Sequence, residues 1–310
     1  MTEKRTYDVV VIGAGVSGIY QIKRLIDLGI DAIVLEGDDD LGGTWYRNRY
    51  PGARFDSESY TYGYSFSKEL LDEWHWKERF SPQPENLAYL NYVADKFDLR
   101  PHMRFNSRVE SMVWAEAERN WNIHLTTGET FTARFVVTSL GPLSMPTLPS
   151  YPGMDEFEGA SFHTYWWPKE PVDLTDKRVG IIGTGATGIQ VIAEIADKVG
   201  DLTVFQRRPN WSTPLNNGPI TEAEMAEIRS RYDEIFENCS NSAAGFEHLA
   251  RRGFWDHTAE ERQAIWDELY DQPGFAFFAG NFADIFFDQA ANDEVSAYVA
   301  NRIREASRRS

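Results

Sequence analysis

The spacing of apolar residues near the start of the chain changes twice, which predicts a strand, a helix and a second strand. Val9 to Ile12 form a short run of β-branched residues, as a buried parallel strand would. Apolar positions then recur at helical spacing, namely Ile19, Ile22, Leu25 and Ile26. Gly29 suits a helix C-terminus, and Ala32 to Leu35 form the next apolar run. This order predicts a β-α-β unit.

The same order returns in the second half of the chain. Arg178 to Ile182 and Leu202 to Phe205 are predicted strands, and the apolar positions between them fit a helix. These positions are Ile189, Ile192 and Ile195. Between the two units, Trp121 to Val137 form two strand-like runs around a turn that contains glycine, which predicts a hairpin.

Beyond Thr221 the pattern becomes helical. Thr221 to Glu224 and Thr258 to Glu261 are predicted capping boxes. The aromatic residues of this region, such as Phe275, Phe277 and Phe278, are interpreted as core rather than as a ligand site. One apolar helix face is predicted from Ile228, Tyr232, Ile235 and Phe236. The whole pattern predicts an α/β fold with two Rossmann-like dinucleotide-binding domains and a helical insertion. The predicted domains are residues 1–141, 142–220 and 221–310.

The first β-α-β unit turns through six small residues, Gly13-Ala14-Gly15-Val16-Ser17-Gly18. Gly13 permits the tight turn, Gly15 lets a pyrophosphate approach the helix N-terminus, and Gly18 lets the helix pack on the strand. Glu36 ends the second strand, where a carboxylate can accept the protons of both ribose hydroxyls. An acid at this place favours a nucleotide with a free 2′-hydroxyl, which means FAD or NAD.

A second turn of small residues follows and favours FAD. Gly42 and Gly43 precede Thr44 and Trp45, and a small-residue turn close to the pyrophosphate is typical of flavin sites. The acidic stretch before this turn, Asp38 to Asp40, is interpreted as a solvated loop. The first predicted domain is therefore an FAD-binding domain.

The second β-α-β unit repeats the turn but differs in the charge at its strand end. The turn consists of Gly183, Thr184, Gly185, Ala186, Thr187 and Gly188. Gln206 takes the place of the acid, and Arg207 and Arg208 follow it. A guanidinium there would pair with a 2′-phosphate, so the sequence predicts NADPH rather than NADH. The alternative is that one or both arginines only face solvent. Together the two sites predict a flavoprotein reduced by NADPH.

Composition narrows the function classes. The net charge of −17 argues against binding nucleic acid or docking on an anionic membrane, and no apolar run approaches the roughly 20 residues of a membrane helix. The single cysteine, Cys239, excludes a disulfide framework and fits the cytoplasm. The six histidines show no metal-binding spacing, so no metal site is predicted. The oligomeric state stays open.

Residues 157–170, FEGASFHTYWWPKE, lie between the two glycine turns and are called the linker segment below. They contain the pattern F-x-G-x-x-x-H-x-x-x-W-P, formed by Phe157, Gly159, His163, Trp167 and Pro168. With this pattern the chain resembles the Baeyer–Villiger monooxygenases, class B flavoproteins such as cyclohexanone and phenylacetone monooxygenases. The stretches GGTWYRNRYPGARFDSESYTYGYSFS and VFQRRPN extend the resemblance over nearly all of residues 6–304.

The resemblance implies roles for further residues. Flavin-contacting positions are matched by Thr44, Trp45, Tyr62 and Val109. Asp56 matches the active-site acid beside the flavin, and Arg54 and Asp56 match positions near the nicotinamide. His163 belongs to a linker that becomes ordered when NADPH binds, and we expect it to control conformation rather than transfer a proton. On spacing alone, Asp56 and Arg54 could form a surface ion pair, and His163 could be an ordinary linker histidine.

The resemblance also implies a reaction. NADPH reduces FAD, dioxygen adds at flavin C4a, and the resulting peroxide attacks a ketone to give an ester or lactone. The family's active-site arginine, which Asp56 would orient, is not found in this sequence, so we expect a truncated chain. Two alternatives stay open: a flavin-dependent monooxygenase of nitrogen or sulfur, and a non-catalytic nucleotide-binding fragment. The sequence does not identify the ketone.

Overall fold

The computed structural model describes residues 5–242 and 245–308. The ends of the predicted domains at residues 1–4 and 309–310 lie outside the described residues. The chain divides into two compact units. The first contains the residues up to Ala53 together with Gln83–Phe205, and the second contains Arg54–Pro82 together with the residues from Gln206 onward. The predicted boundaries at residues 141 and 220 stay predictions.

The first unit contains the named strands together with several helices, and helices dominate the second. The strands are β1 (Thr6–Ile12), β2 (Ala32–Leu35), β3 (Met103–Arg104), β4 (Val109–Ala115), β5 (Asn120–Leu125), β6 (Thr130–Thr138), β7 (Arg178–Ile182) and β8 (Asp201–Phe205). The α-helices are α1 (Val16–Asp27), α2 (Thr44–Arg47), α3 (Lys68–Glu73), α4 (Gln83–Lys96), α5 (Ala186–Ile195), α6 (Glu222–Ser230), α7 (Tyr232–Asn241), α8 (Ala259–Asp271), α9 (Ala276–Ala279) and α10 (Gln289–Ser307). Short 3-10 helices span Ser59–Tyr62, Arg100–His102, Met154–Glu156, Thr164–Trp166, Phe254–Asp256 and Ala283–Phe286.

A six-stranded sheet forms the centre of the first unit, in the order β3-β2-β1-β6-β5-β4. β1 pairs in parallel with β2 on one side and β6 on the other, with Val10 opposite both Ile33 and Val136. The chain order therefore reverses at β1. In open α/β sheets, ligands bind at the carboxyl end of the strand where this reversal occurs, which places a candidate site at the end of β1.

The first helix ends where the sequence predicts. α1 ends at Asp27, and Gly29 follows with a φ of +69°. The Gly29 N–H donates to Ile26 and the Ile30 N–H donates to Leu25, which is the pair of bonds of a Schellman motif. The chain then enters β2, whose residues are all buried.

The second β-α-β unit is also formed as predicted. β7 and β8 pair in parallel with Arg178 opposite Asp201 and Ile182 opposite Phe205, and α5 connects them. The prediction of an α/β fold with two Rossmann-like units is confirmed.

The helices of the second unit enclose an aromatic core. Phe254, Trp266, Phe277 and Phe282 are buried in it, and Phe278 packs against it partly buried. The core prediction is confirmed for Phe277 and Phe278, whereas Phe275 is partly buried outside this cluster. Both predicted capping boxes are formed, at Thr221 with Glu224 and at Thr258 with Glu261. The predicted continuous apolar face is interrupted, because α6 ends at Ser230 and α7 begins at Tyr232.

The predicted hairpin is present as β5 and β6, but it belongs to a larger meander. β4 pairs antiparallel with β5, with Trp114 opposite Trp121. No strand was predicted at β4, which is mostly exposed, because a strand without a buried face lacks apolar alternation. None of the described helices is long and apolar enough to cross a membrane.

Candidate cofactor sites

The first glycine turn joins β1 to α1, and its backbone requires glycine at two positions. Gly13 has a φ of +99°, and its N–H donates to the Leu35 carbonyl at the end of β2 over 2.9 Å. A Cβ at Gly18 would collide with the Gly13 carbonyl oxygen. α1 therefore begins directly against the end of β1, with Ser17 exposed in its first turn. A helix N-terminus in this position attracts anions.

The second small-residue turn packs on the first. The Gly42 N–H donates to the Ala14 carbonyl over 2.9 Å. Gly43, with a φ of +54°, lies so close to Gly15 that an added Cβ would stand 2.9 Å from the Gly15 Cα. α2 starts immediately afterwards at Thr44, which is exposed, and its second residue, Trp45, is buried. The structure thus brings together Gly15, Gly43, Thr44 and Trp45, as the FAD prediction requires.

Glu36 is buried beside the first turn, where its carboxylate is held by backbone groups. Its Oε2 accepts from the Ala14 N–H at 2.6 Å, and its Oε1 accepts from the Asp38 N–H at 2.9 Å. Burial raises the pKa of the Glu36 carboxyl, against the opposite effects of the backbone N–H groups of Ala14 and Gly37 and the charges of Arg47 and Arg108. Each carboxylate oxygen retains a second acceptor direction, so both can still accept hydroxyl protons.

The second glycine turn repeats the backbone of the first. Gly183 has a φ of +106°, and its N–H donates to the Phe205 carbonyl at the end of β8 over 2.9 Å. A Cβ at Gly188 would stand 2.5 Å from the Gly183 carbonyl oxygen. Gly185 caps α5, which begins at Ala186 and contains Thr187, and Thr184 is buried. The two turns are therefore built in the same way.

Two arginines follow β8 in sequence. Arg207 and Arg208 are exposed, and neither guanidinium forms a hydrogen bond or ion pair within the part of the chain that the structure describes. Both belong to the second unit, whereas the glycine turn belongs to the first. Their role in NADPH binding stays a prediction.

The acidic stretch Asp38 to Asp40 is a loop, as interpreted, and Asp39 and Asp40 reach solvent, but the three acids are not free. Each carboxylate has a defined partner: Asp38 pairs with Arg47, Asp39 accepts from Tyr46 and Lys169, and Asp40 pairs with Arg100. The partners lie as far as residue 169, and local charge patterning carries no signal of such distant contacts. The acids fix the loop that precedes Gly42 and Gly43.

The residues that the resemblance placed near the nicotinamide belong to the second unit. Arg54 donates through Nη1 to Glu78 Oε2 at 3.1 Å and to the Phe80 carbonyl at 3.3 Å, and Asp56 is partly buried two residues later. The ring of Tyr62 lies 4.0 Å from that of Phe55, centroid to centroid. Arg54 and Glu78 form an ion pair, and the Arg54–Asp56 pair that spacing alone suggested stays a prediction.

Val109 begins β4, where the pairing with β5 shifts register, and it packs against the sheet core of the first unit. His163 caps the 3-10 helix Thr164–Trp166. Its Nδ1 accepts from the Tyr165 N–H at 3.2 Å, so the cap requires an unprotonated Nδ1. The role of His163 stays a prediction.

Sequence reasoning missed several long-range clusters. One joins Tyr46 to Asp39 and Lys169 in the first unit. Another joins Glu58 to His248 in the second, where Glu58 Oε1 and His248 Nε2 are 2.7 Å apart. No local spacing could have revealed partners 123 and 190 residues apart. Among the described residues, no group of three or more His, Cys, Asp or Glu side chains could hold a metal ion.

The family model "FMO-like: Flavin-binding monooxygenase-like" matches residues 6–217, which include both glycine turns and the linker segment. The chain belongs to the flavin-binding monooxygenase-like family. Within this family it is 43% identical over 305 residues to a Baeyer–Villiger monooxygenase of Pseudooceanicola batsensis, covering 96% of this chain and 55% of the relative. It is 38% identical over 307 residues to the phenazine N-monooxygenase PhzNO1 of Lysobacter antibioticus, covering 98% and 56%.

Solved structures agree with these family matches. The crystal structure of OTEMO in complex with FAD and NADP has a TM-score of 0.93 to this flavin-binding monooxygenase-like chain, with 42% sequence identity. The match covers 98% of this chain and 58% of that one. The resemblance to Baeyer–Villiger monooxygenases is confirmed. The chain spans about half the length of the curated relatives it matches.

The first turn of this flavin-binding monooxygenase-like chain suits the adenine nucleotide half of FAD. Among the described residues, only the Gly43 Cα comes within 4 Å of a Cβ added at Gly15, at 3.6 Å, so a pyrophosphate can approach this backbone closely. The buried Glu36 supplies acceptors for ribose hydroxyls. The residues present therefore fit the group that the family binds.

Proposed function

We propose that the protein acts as an FAD- and NADPH-dependent monooxygenase that converts a ketone to an ester or lactone with dioxygen. The observation that carries the proposal is the pair of glycine turns. The two turns share one backbone conformation, but the residues that follow the second strand of each β-α-β unit carry opposite charges. Glu36 follows β2, whereas Arg207 and Arg208 follow β8. The named relatives and the FAD- and NADP-bound neighbour support the same reading.

In this proposal the first turn and the second small-residue turn hold FAD. Gly15 and Ser17 offer helix N–H groups to the pyrophosphate, Glu36 accepts from the ribose, and Gly43 keeps the backbone free of side chains. Thr44, Trp45, Tyr62 and Val109 are proposed flavin contacts. When bound, FAD supplies the two-electron redox chemistry that links NADPH to dioxygen.

The second turn, Gly183 to Gly188, is proposed to hold the NADPH pyrophosphate, and Arg207 and Arg208 its 2′-phosphate. Arg54 and Asp56 are proposed to contact the nicotinamide, with Asp56 as an active-site acid. His163 is proposed to set the conformation of the linker segment through its cap on Tyr165. We expect the protein to work in the cytoplasm, as its single cysteine suggests.

The test is product analysis with purified protein, FAD, NADPH, dioxygen and a panel of cyclic, linear and aryl ketones. We expect ester or lactone to form with one NADPH consumed per product. NADPH oxidation that yields only hydrogen peroxide would contradict the proposal. A protein that takes up no FAD would instead support a non-catalytic nucleotide-binding role.

A second candidate function is oxygenation of nitrogen or sulfur, which the match to a phenazine N-monooxygenase favours. The same assay distinguishes the two with an aromatic N-heterocycle and a thioether as substrates. N-oxide or sulfoxide without any ester would favour this candidate, and ester formation from at least one ketone would favour the first.

A further inference from the structure

Lys169, near the end of the linker segment, contacts Tyr46 and Asp39, which lie on either side of Gly42 and Gly43. Its Nζ lies 2.6 Å from the Tyr46 hydroxyl and 3.0 Å from Asp39 Oδ2. The Tyr46 hydroxyl in turn donates to Asp39 Oδ1. The three side chains form a closed triangle of hydrogen bonds, which we call the latch.

A second contact joins the same elements. The Arg47 guanidinium lies 5.6 Å from the centre of the Tyr165 ring, and Arg47 also pairs with Asp38. Tyr165 and Lys169 therefore each join the linker segment to the first predicted domain. Both end on α2 and the acidic loop before it.

α2 follows Gly42 and Gly43, and these two glycines pack on the first glycine turn. It begins one residue after Gly43, which packs on Gly15, and the Gly42 N–H is bonded to Ala14. The Tyr46 side chain is buried, and its hydroxyl forms the hydrogen bonds of the latch. A shift of α2 therefore moves the backbone against which a pyrophosphate would rest.

We propose that Tyr46, Asp39 and Lys169 are positioning residues for the FAD site. They hold α2 against the first glycine turn only while the linker segment is docked, so that docking of this segment and FAD binding strengthen each other. This inference rests on the proposed FAD site and adds a coupling between two parts of the first unit.

The expected coupling is modest, because Lys169 and Asp39 are each more than half exposed and exposed ion pairs are weak. The Tyr46 hydroxyl strengthens the latch, because it is hydrogen-bonded to both Asp39 and Lys169. Together, Tyr46 and Lys169 lower the pKa of Asp39 to about 2. Coupling is reciprocal: a latch that raises FAD affinity by some factor must raise linker docking by the same factor when FAD binds.

Two measurements on the purified protein test both directions. The FAD dissociation constant is obtained by titrating the flavin-free protein with FAD and following flavin fluorescence. Docking of the linker segment is followed as the rate of chymotrypsin cleavage after Tyr165 and Trp166, with and without FAD. The variants are Tyr46→Phe, Lys169→Met, their double variant and the charge-conserving Lys169→Arg.

We expect Lys169→Met and Tyr46→Phe each to weaken FAD binding about five- to ten-fold, the low end of typical allosteric couplings. Each should also remove most of the protection that FAD gives the linker segment. The double variant should be no weaker than the worse single one, because both remove one latch. Lys169→Arg should recover most of the affinity.

The matched control is Lys198→Met, which removes an exposed lysine ion pair with Glu194 in the same unit and should change neither measurement. FAD affinity and protection equal to wild type in both latch variants would overturn the inference while leaving the FAD site intact. Failure of the wild-type protein to bind FAD would overturn the proposed function and this inference together.

Discussion

Glu36 shows how one side chain can serve both the fold and the ligand. Its carboxylate closes the first turn through the Ala14 and Asp38 N–H groups, and each oxygen keeps an acceptor direction for the proposed ribose contact. Sequence alone located Glu36 through its place at a strand end. The backbone bonds that orient it became visible only with the turn folded, because they depend on the path of the loop after β2.

Glu36→Gln is expected to weaken FAD binding by about ten- to hundred-fold. The amide turns one acceptor into a donor that faces backbone N–H groups, and hydrogen bonds to charged groups are worth about 1.5–3 kcal/mol. Titration of the flavin-free protein measures the effect, with Glu110→Gln on exposed β4 as control. Unchanged affinity would remove Glu36 from the FAD site.

The Glu58–His248 pair makes the second unit sensitive to pH. Burial lowers the pKa of His248, but the Glu58 carboxylate outweighs it, so the pKa of His248 is raised. A histidine whose pKa is raised in the folded state contributes stability. This contribution is fully present at a pH below the pKa of histidine in the unfolded chain, about 6.5. We expect this stabilisation to decline as pH rises through the folded pKa, in unfolding curves recorded from pH 5.5 to 8.5.

His248→Ala should destabilise the protein by about 3 kcal/mol at low pH, because Glu58 would stay buried without its partner. It should also flatten the pH dependence of the free energy of unfolding. In a Glu58→Gln background the same change should cost much less, since no buried charge remains. Equal costs in both backgrounds would show that the pair carries no coupling.

At the scale of elements, the helix starts of the second unit were the most predictable features. Thr258 accepts from the Glu261 N–H at 3.2 Å, and Glu261 Oε2 accepts from the Thr258 N–H at 2.8 Å. Both partners lie within four residues, so the motif is complete in the local sequence. β4 and the break at Arg231 were not predictable in this way, because neighbours distant in sequence decide them.

Thr258→Ala is expected to lower the free energy of unfolding by about 1 kcal/mol, the usual cost of losing an N-cap. Thr258→Ser keeps the hydroxyl and should leave the free energy of unfolding nearly unchanged, since serine is at least as good an N-cap as threonine. Chemical denaturation with matched slopes measures both variants. A Thr258→Ser variant as unstable as Thr258→Ala would indicate that the methyl group, not the cap, is needed.

At the scale of the molecule, the net charge of −17 makes the exposed arginines after β8 unusual. A local basic pair in an acidic protein is a selective place for a phosphate. Both glycine turns and the charged residues that follow each second strand were predicted from the sequence, because each β-α-β unit spans only about 30 consecutive residues. The sequence could not predict how the chain divides into units, because Arg54–Pro82 joins residues far later in sequence.

Arg207→Ala is expected to weaken NADPH binding about ten- to hundred-fold, the worth of one charge-assisted bond, and to leave NADH binding nearly unchanged. Arg252→Ala, another exposed arginine, should alter neither. Tryptophan fluorescence titration with both nucleotides gives the four constants needed. Parallel losses for NADPH and NADH would mean that Arg207 does not contact the 2′-phosphate.

The helix of the second glycine turn rests on a loop from the beginning of the chain. Tyr50 donates to Gln190 Oε1 over 3.0 Å, 140 residues away in sequence, and a Cβ at Gly52 would stand 2.5 Å from the Gln190 carbonyl oxygen. A genetic screen for lost nicotinamide binding would therefore also recover lesions at codons 50 and 52, and reading those lesions by position alone would assign them to the wrong nucleotide.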